Sequence, residues 1–226
     1  MKKPFLFDQF NSTSPKAWKQ KIQVDLKGAD YNDTLLWKTS EGIVVKPFYT
    51  KEDIISSLSN KEKITFNISQ SIFIDDEKIA SGIAINALKK GANAIEFIAY
   101  KRFNYQLLFK HIETNGIHIY FRFQFLDADF TNSLSDFLNS TTTFFQIDII
   151  GNLAETGNWF NNLKQDHQEF EKIVNHCSCS IGINASLYQN AGATFTQQLA
   201  YTLAHAHEYL NHFGKNNASK FHFNFA

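Results

Sequence analysis

Cysteine is almost missing from this chain, with two residues in 226. Two thiols cannot build a disulfide framework in a chain of this length, which points to a reducing compartment. An excess of one charge is missing too. Lys plus Arg and Asp plus Glu number 22 each, so the formal net charge is zero, and neither a net field nor a basic cluster favours nucleic acid or an anionic membrane. Long apolar runs are also lacking. The opening MKKPFLFDQF holds a short apolar run before Asp8, which is too brief for a signal peptide, and no later window is long enough for a membrane span. The expected compartment is the cytoplasm. G-x-S-x-G, P-loop and G-x-G-x-x-G patterns are absent, so serine-hydrolase, P-loop and dinucleotide chemistries lack their usual signature. What is abundant is core material. Hydrophobic residues make up 43% and aromatics 15%, enough for one large domain or two small ones.

Six short segments alternate apolar and polar residues as strands do: 63–70, 94–100, 117–125, 144–150, 180–186 and 220–226. Helix-like stretches near 75–90, 105–115, 131–139, 161–175 and 194–213 separate them. Strand and helix in strict alternation imply an α/β fold with a parallel sheet. Parallel strands covered on both faces read as unbroken apolar runs, yet Ile119, Phe121, Phe123 and Phe125 alternate with His118, Tyr120, Arg122 and Gln124. One face therefore meets something polar. The apolar parity would pack under helices, and Thr65, Asn67, Ser69, Glu96, Gln146, Asp148 and Asn184 would point into a polar barrel lumen. Glu96, Arg122 and Asp148 fall on consecutive strands at the inward parity, so a polar network joining them, with Asn184 nearby, is the natural arrangement. The expected domains are an N-terminal helix and extended arm over 1–62 and a (β/α) TIM-type barrel region over 63–226, which stops after about six strands where a closed barrel has eight. Its open edges would call for self-association or cover by the arm, with Trp18, Leu36 and Trp37 as apolar anchors. In the arm, Ser14-Pro15 opens a helix that Gly28 stops.

Two local patterns invite metal chemistry and fail on spacing. HEYLNH, from His207 to His212, sets its histidines five apart rather than four. His205, Glu208 and His212 share a face that reads as solvated helix surface. His176-Cys177-Ser178-Cys179 has no second ligand pair at zinc spacing and reads as buried thiols at a helix end. No metal site is expected. In the last long helix Leu199, Leu203 and Leu210 would form the buried side.

The stretch GINASLYQNAGATFTQQLAYTLAHAHEYL, together with DLKGADYNDTLLWKTSEGIVVKPFYT near the N-terminus, resembles the methylmalonyl-CoA mutase family, and more closely its small (beta) subunits. The resemblance implies a (β/α)₈ barrel holding an acyl-CoA along its axis, with adenosylcobalamin in the holoenzyme on a separate domain. It also implies an arm that helps two subunits associate. Aligned on Ala191-Gly192-Ala193, the histidine of catalytic members falls at Leu187. The family's Arg-Pro-Trp segment does not occur between Pro47 and Lys63, and the Asp-x-His-x-x-Gly corrinoid motif does not occur in these 226 residues. The resemblance therefore implies a non-catalytic partner of the catalytic large subunit that binds no cofactor itself. Two alternatives are a module that accepts a CoA thioester and a competent acyl-CoA mutase subunit.

Overall fold

The computed structural model describes residues 6–7, 9–54, 65–139, 142–178 and 180–225. Contacts divide the chain into two compact units, 1–64 and 65–226. In the first unit, helix α1 (Pro15–Asp25) starts where Ser14 accepts a hydrogen bond from the Ala17 amide at 3.2 Å and Pro15 occupies the first turn. A serine oxygen at that place satisfies an amide that has no intrahelical partner. Helix α2 (Tyr31–Leu35) is capped the same way by Asp30, and strands β1 (Trp37–Lys38) and β2 (Val44–Val45) pair antiparallel. A 3₁₀ turn (Lys51–Asp53) follows.

The second unit alternates strand and helix. Its elements are β3 (Ser69–Phe73), α3 (Glu77–Lys89), β4 (Ala94–Ala99), α4 (Tyr105–Phe109), β5 (His118–Phe123), α5 (Ala128–Leu138), β6 (Thr143–Gln146), α6 (Ile149–Thr156), α7 (Leu163–His176), β7 (Ile181–Asn184), α8 (Ser186–Asn190), α9 (Phe195–Phe213) and β8 (Phe221–Asn224), with a 3₁₀ turn (Lys215–Lys220) before β8. Strands β3 to β6 form one parallel sheet in chain order, and β7 pairs parallel with β8. A single parallel bridge between Ile147 and Ile181 joins the two groups.

Side-chain parity decides which face each residue serves. Ile95, Phe97, Ala99, Ile119, Phe121, Phe123, Phe145, Ile181 and Ile183 pack on one face against Leu108, Phe130, Leu134, Phe170, Ile173 and Val174 from the helices. Phe121 is the centre of an aromatic cluster, with ring centroids 5.9 Å from Phe97, 5.4 Å from Phe145 and 5.6 Å from Phe123. The other face carries Glu96, His118, Tyr120, Arg122, Phe144, Gln146, Gly182 and His222. Strand β5 shows the split residue by residue, half-buried His118, Tyr120 and Arg122 alternating with buried Ile119, Phe121 and Phe123.

Several expected boundaries move. The strand anticipated over 63–70 lies at Ser69–Phe73; residues 63 and 64 fall outside the described set, and Phe66 and Ile68, whose alternation suggested the strand, are exposed. Pairing begins only where the Asn93 side chain accepts from the Ile68 amide at 2.6 Å and the Ala94 amide donates to Ile68 O at 3.1 Å. The strand anticipated over 144–150 ends at Gln146, because Asp148 caps α6 and turns Ile149 and Ile150 into helix. Helix α4 is one turn long rather than reaching Asn115. The inner face of α9 is not its leucines: Leu199 and Leu203 are exposed, while Gln198, Thr202, His205 and Tyr209 are buried. That polar stripe faces inward because it has partners there, Gln198 Nε2 donating to Ala185 O at 3.0 Å and Tyr209 Oη to Asp148 Oδ1 at 2.8 Å.

Candidate functional site

A cleft opens at the carboxyl ends of β5 to β8, lined by Arg122, Gln124, Gln146, Asp148, Asn184, His222 and Asn224 among others. Ligands of α/β proteins bind at this edge, where strands hand over to helices and loops. Gly182 lets its floor form. A Cβ on Gly182 would stand 2.7 Å from Gln146 Cα and 2.9 Å from His222 Nε2, so only a bare backbone brings β7 this close to its neighbours. Gly182→Ala should therefore cost about 1–3 kcal/mol through overpacking, read as a lowered melting temperature; an unchanged melt would mean that the strands are not in this contact.

Glu96 and Arg122 meet on the polar face. Arg122 Nη2 donates to both Glu96 oxygens at 2.7 and 2.8 Å, Arg122 Nε adds a bond at 3.1 Å, and Ser71 Oγ donates to Glu96 Oε2 at 2.6 Å. The carboxylate is the more buried partner, with side-chain exposures of 11% for Glu96 and 41% for Arg122. Removing the arginine leaves a desolvated charge with one hydroxyl donor, so Arg122→Leu should destabilise by about 1–3 kcal/mol, a figure tempered by the arginine's exposure. An unaltered thermal melt would contradict that role.

Asp148, expected in the same network, makes its bonds elsewhere. As N-cap of α6 it accepts from the Gly151 amide at 2.7 Å, and it also accepts from Tyr209 Oη at 2.8 Å and the Asn184 amide at 3.2 Å. Its position just past β6 turns it toward α9 instead of back along β5. The space is tight, since a Cβ on Gly151 would lie 2.2 Å from the carboxylate. His205 Nε2 stands 3.0 Å from Asp148 Oδ1. Nε2 makes no hydrogen bond there. On its other side His205 Nδ1 meets Tyr188 Oη at 3.0 Å. Tyr209 Oη in turn accepts from the Ile150 amide at 3.0 Å. Burial first, and the Asp148 charge second, push the Tyr209 phenol well above its ordinary range and the Tyr188 phenol upward. Burial pulls the His222 imidazole down to about 4, with the Asp148 charge opposing.

Asn184 takes part through its amide bond to Asp148, and its Oδ1 accepts from Ser186 Oγ at 2.5 Å. Leu187 sits half-buried in α8, one residue before Tyr188. Cys177 is buried at the end of α7, burial raising its thiol, and Cys179 lies outside the described residues. His205 and Tyr209 were missed as partners of Asp148, as were Tyr188, which meets His205, and His222, which lines the same cleft. The signal was available: Gln198, Thr202, His205 and Tyr209 recur at helical spacing and mark a polar inner stripe.

The cleft is open to solvent and its volume is about 70 Å³, room for a few waters and below the ~300 Å³ at which small-molecule sites begin. Among the described residues no cluster of three or more His, Cys, Asp or Glu side chains could hold a metal ion. Among the described residues no helix is long and apolar enough to cross a membrane.

Fold and cleft define a parallel α/β protein with a polar-lined strand edge stapled by one carboxylate. The methylmalonyl-CoA mutase family profile matches residues 81–220, and the chain belongs to that family. It is similar to the methylmalonyl-CoA mutase small subunit of Porphyromonas gingivalis, 34% identical over 110 residues, which cover 42% of this chain and 18% of that protein. The matched part is thus less than a fifth of the relative's length.

Proposed function

We propose that this chain is a small-subunit-like, non-catalytic part of a cobalamin-dependent methylmalonyl-CoA mutase, supporting the large subunit that performs the isomerisation to succinyl-CoA. In this reading the parallel strands β3 to β8 are six strands of a (β/α)₈-type barrel, and their polar face is the lumen. Residues 1–62 form an arm that associates with the partner, and the assembly is cytoplasmic. One observation carries the proposal. Matched on Ala191-Gly192-Ala193, Leu187 falls where the resemblance expects the catalytic histidine, and a half-buried leucine near the head of α8 can neither donate a proton nor hydrogen-bond a thioester. Adenosylcobalamin is then held by the large subunit.

The purified chain, supplied with adenosylcobalamin and methylmalonyl-CoA, should form no succinyl-CoA. Leu187→His should not restore turnover, since one imidazole without a substrate clamp supplies only a fraction of the required stabilisation. Turnover by the unmodified chain would overturn the proposal.

A further inference from the structure

We propose that the N-terminal unit carries a binding pocket for a nucleoside diphosphate. A cavity of about 500 Å³ lies among α1, α2, β2 and the 3₁₀ turn, within the size range of small-molecule sites. Its lining is divided by chemistry. Tyr31, Leu36 and Phe48 supply apolar wall, and Lys16, Lys19 and Lys46 supply cations. Trp18 packs edge-on against Phe48 at 6.5 Å between ring centroids, which braces that wall.

The three lysines are not equivalent. Lys46 Nζ donates to Asp53 Oδ1 at 2.8 Å, and Asp53 is itself fixed by the Thr50 amide at 2.8 Å and the Thr50 hydroxyl at 3.1 Å. The Lys46 hydrogen bond, with those from Thr50, holds the Asp53 carboxyl down at about 2. That pair is internally neutral and serves to shape the rim. Lys19 Nζ lies instead 4.7 Å from the centroid of the Tyr31 ring, a contact that leaves its charge able to serve an external anion. Lys16 stands one turn earlier on α1, in the first turn of the helix, where the backbone dipole adds positive potential. Two lysines three residues apart share one helical face. Against them the lining sets Glu52 alone once Asp53 is spent, so the pocket stays net positive. Lysine is a point charge suited to phosphate, and two of them side by side suit two phosphoryl groups. A flat base stacked on Tyr31 would take the place of the Lys19 ammonium over that ring and send it toward the diphosphate.

The test is calorimetric titration of the full chain with ADP, with adenosine and inorganic pyrophosphate as separate arms. ADP should bind saturably at one site, more weakly as salt is raised. The double variant Lys16→Ala, Lys19→Ala should lose at least about tenfold in affinity; both side chains are exposed, and a thermal melt verifies that the variant is folded. No saturable binding of ADP, or equal affinity in the double variant, would overturn the proposal, and pyrophosphate binding as tightly as ADP would overturn the nucleoside part of it. The readout is ligand heat on the chain alone, so it stands or falls separately from turnover and subunit association.

Discussion

Replacing Asp148 with alanine is expected to lower stability by about 3–5 kcal/mol. The carboxylate accepts from Gly151 N, Tyr209 Oη and Asn184 N and faces His205 Nε2. Those four groups come from α6, α9, the end of β7 and α9 again, so one side chain ties three elements across the strand ends. Alanine would strand the Gly151, Tyr209 and Asn184 donors in a buried setting, where each unsatisfied group costs about 1–3 kcal/mol. Asp148→Asn keeps an acceptor and loses the charge, and should cost about half as much. Chemical denaturation of both variants ranks them; an alanine variant as stable as the parent would mean that water replaces the carboxylate freely.

Acid should expose the second large effect. The His222 imidazole is held at about 4 in the folded protein against an ordinary value near 6.5, chiefly by burial. The unfolded chain therefore takes up this proton near pH 6.5, whereas the folded protein resists until near pH 4. Stability contributed by neutral His222 is full above pH 6.5, falls as pH drops through the window, and is gone below pH 4. With the residue half-buried, the loss attributable to this group is about 1–3 kcal/mol. In His222→Phe the difference in stability between pH 6.5 and pH 4.5 should shrink by that amount. A parallel pH dependence in parent and variant would show that the ring is as well solvated folded as unfolded.

Much of the parallel architecture was legible because it rests on period-two alternation. Ile119, Phe121 and Phe123 against His118, Tyr120 and Arg122 give both the strand and its two faces, and the pairing of Glu96 with Arg122 follows from adjacent strands at one parity. The failures share a cause. Ile149 and Ile150 read as strand because apolar residues alone do not distinguish a strand end from a helix start, and the deciding residue was the cap, Asp148. In α9 the leucines looked like the core face, yet the inner face is polar because Asp148, Ala185 O and Tyr188 wait there as partners. Such long-range polar pairing, with Asp148 and Tyr209 separated by 61 positions, leaves only the polar stripe of α9 as a local trace, and that stripe does not name its partners. The site was legible as single residues and not as a constellation. Glu96, Arg122, Asp148 and Asn184 were picked by parity, whereas His205 was read as solvated surface and is buried.

Light scattering on this chain mixed with the catalytic large subunit proposed as its partner is the decisive measurement. The expected result is a complex whose mass is the sum of the two, lost when residues 1–39 are deleted, with turnover confined to the large subunit. Two separate masses at high concentration, or a chain that turns over methylmalonyl-CoA by itself, would contradict it.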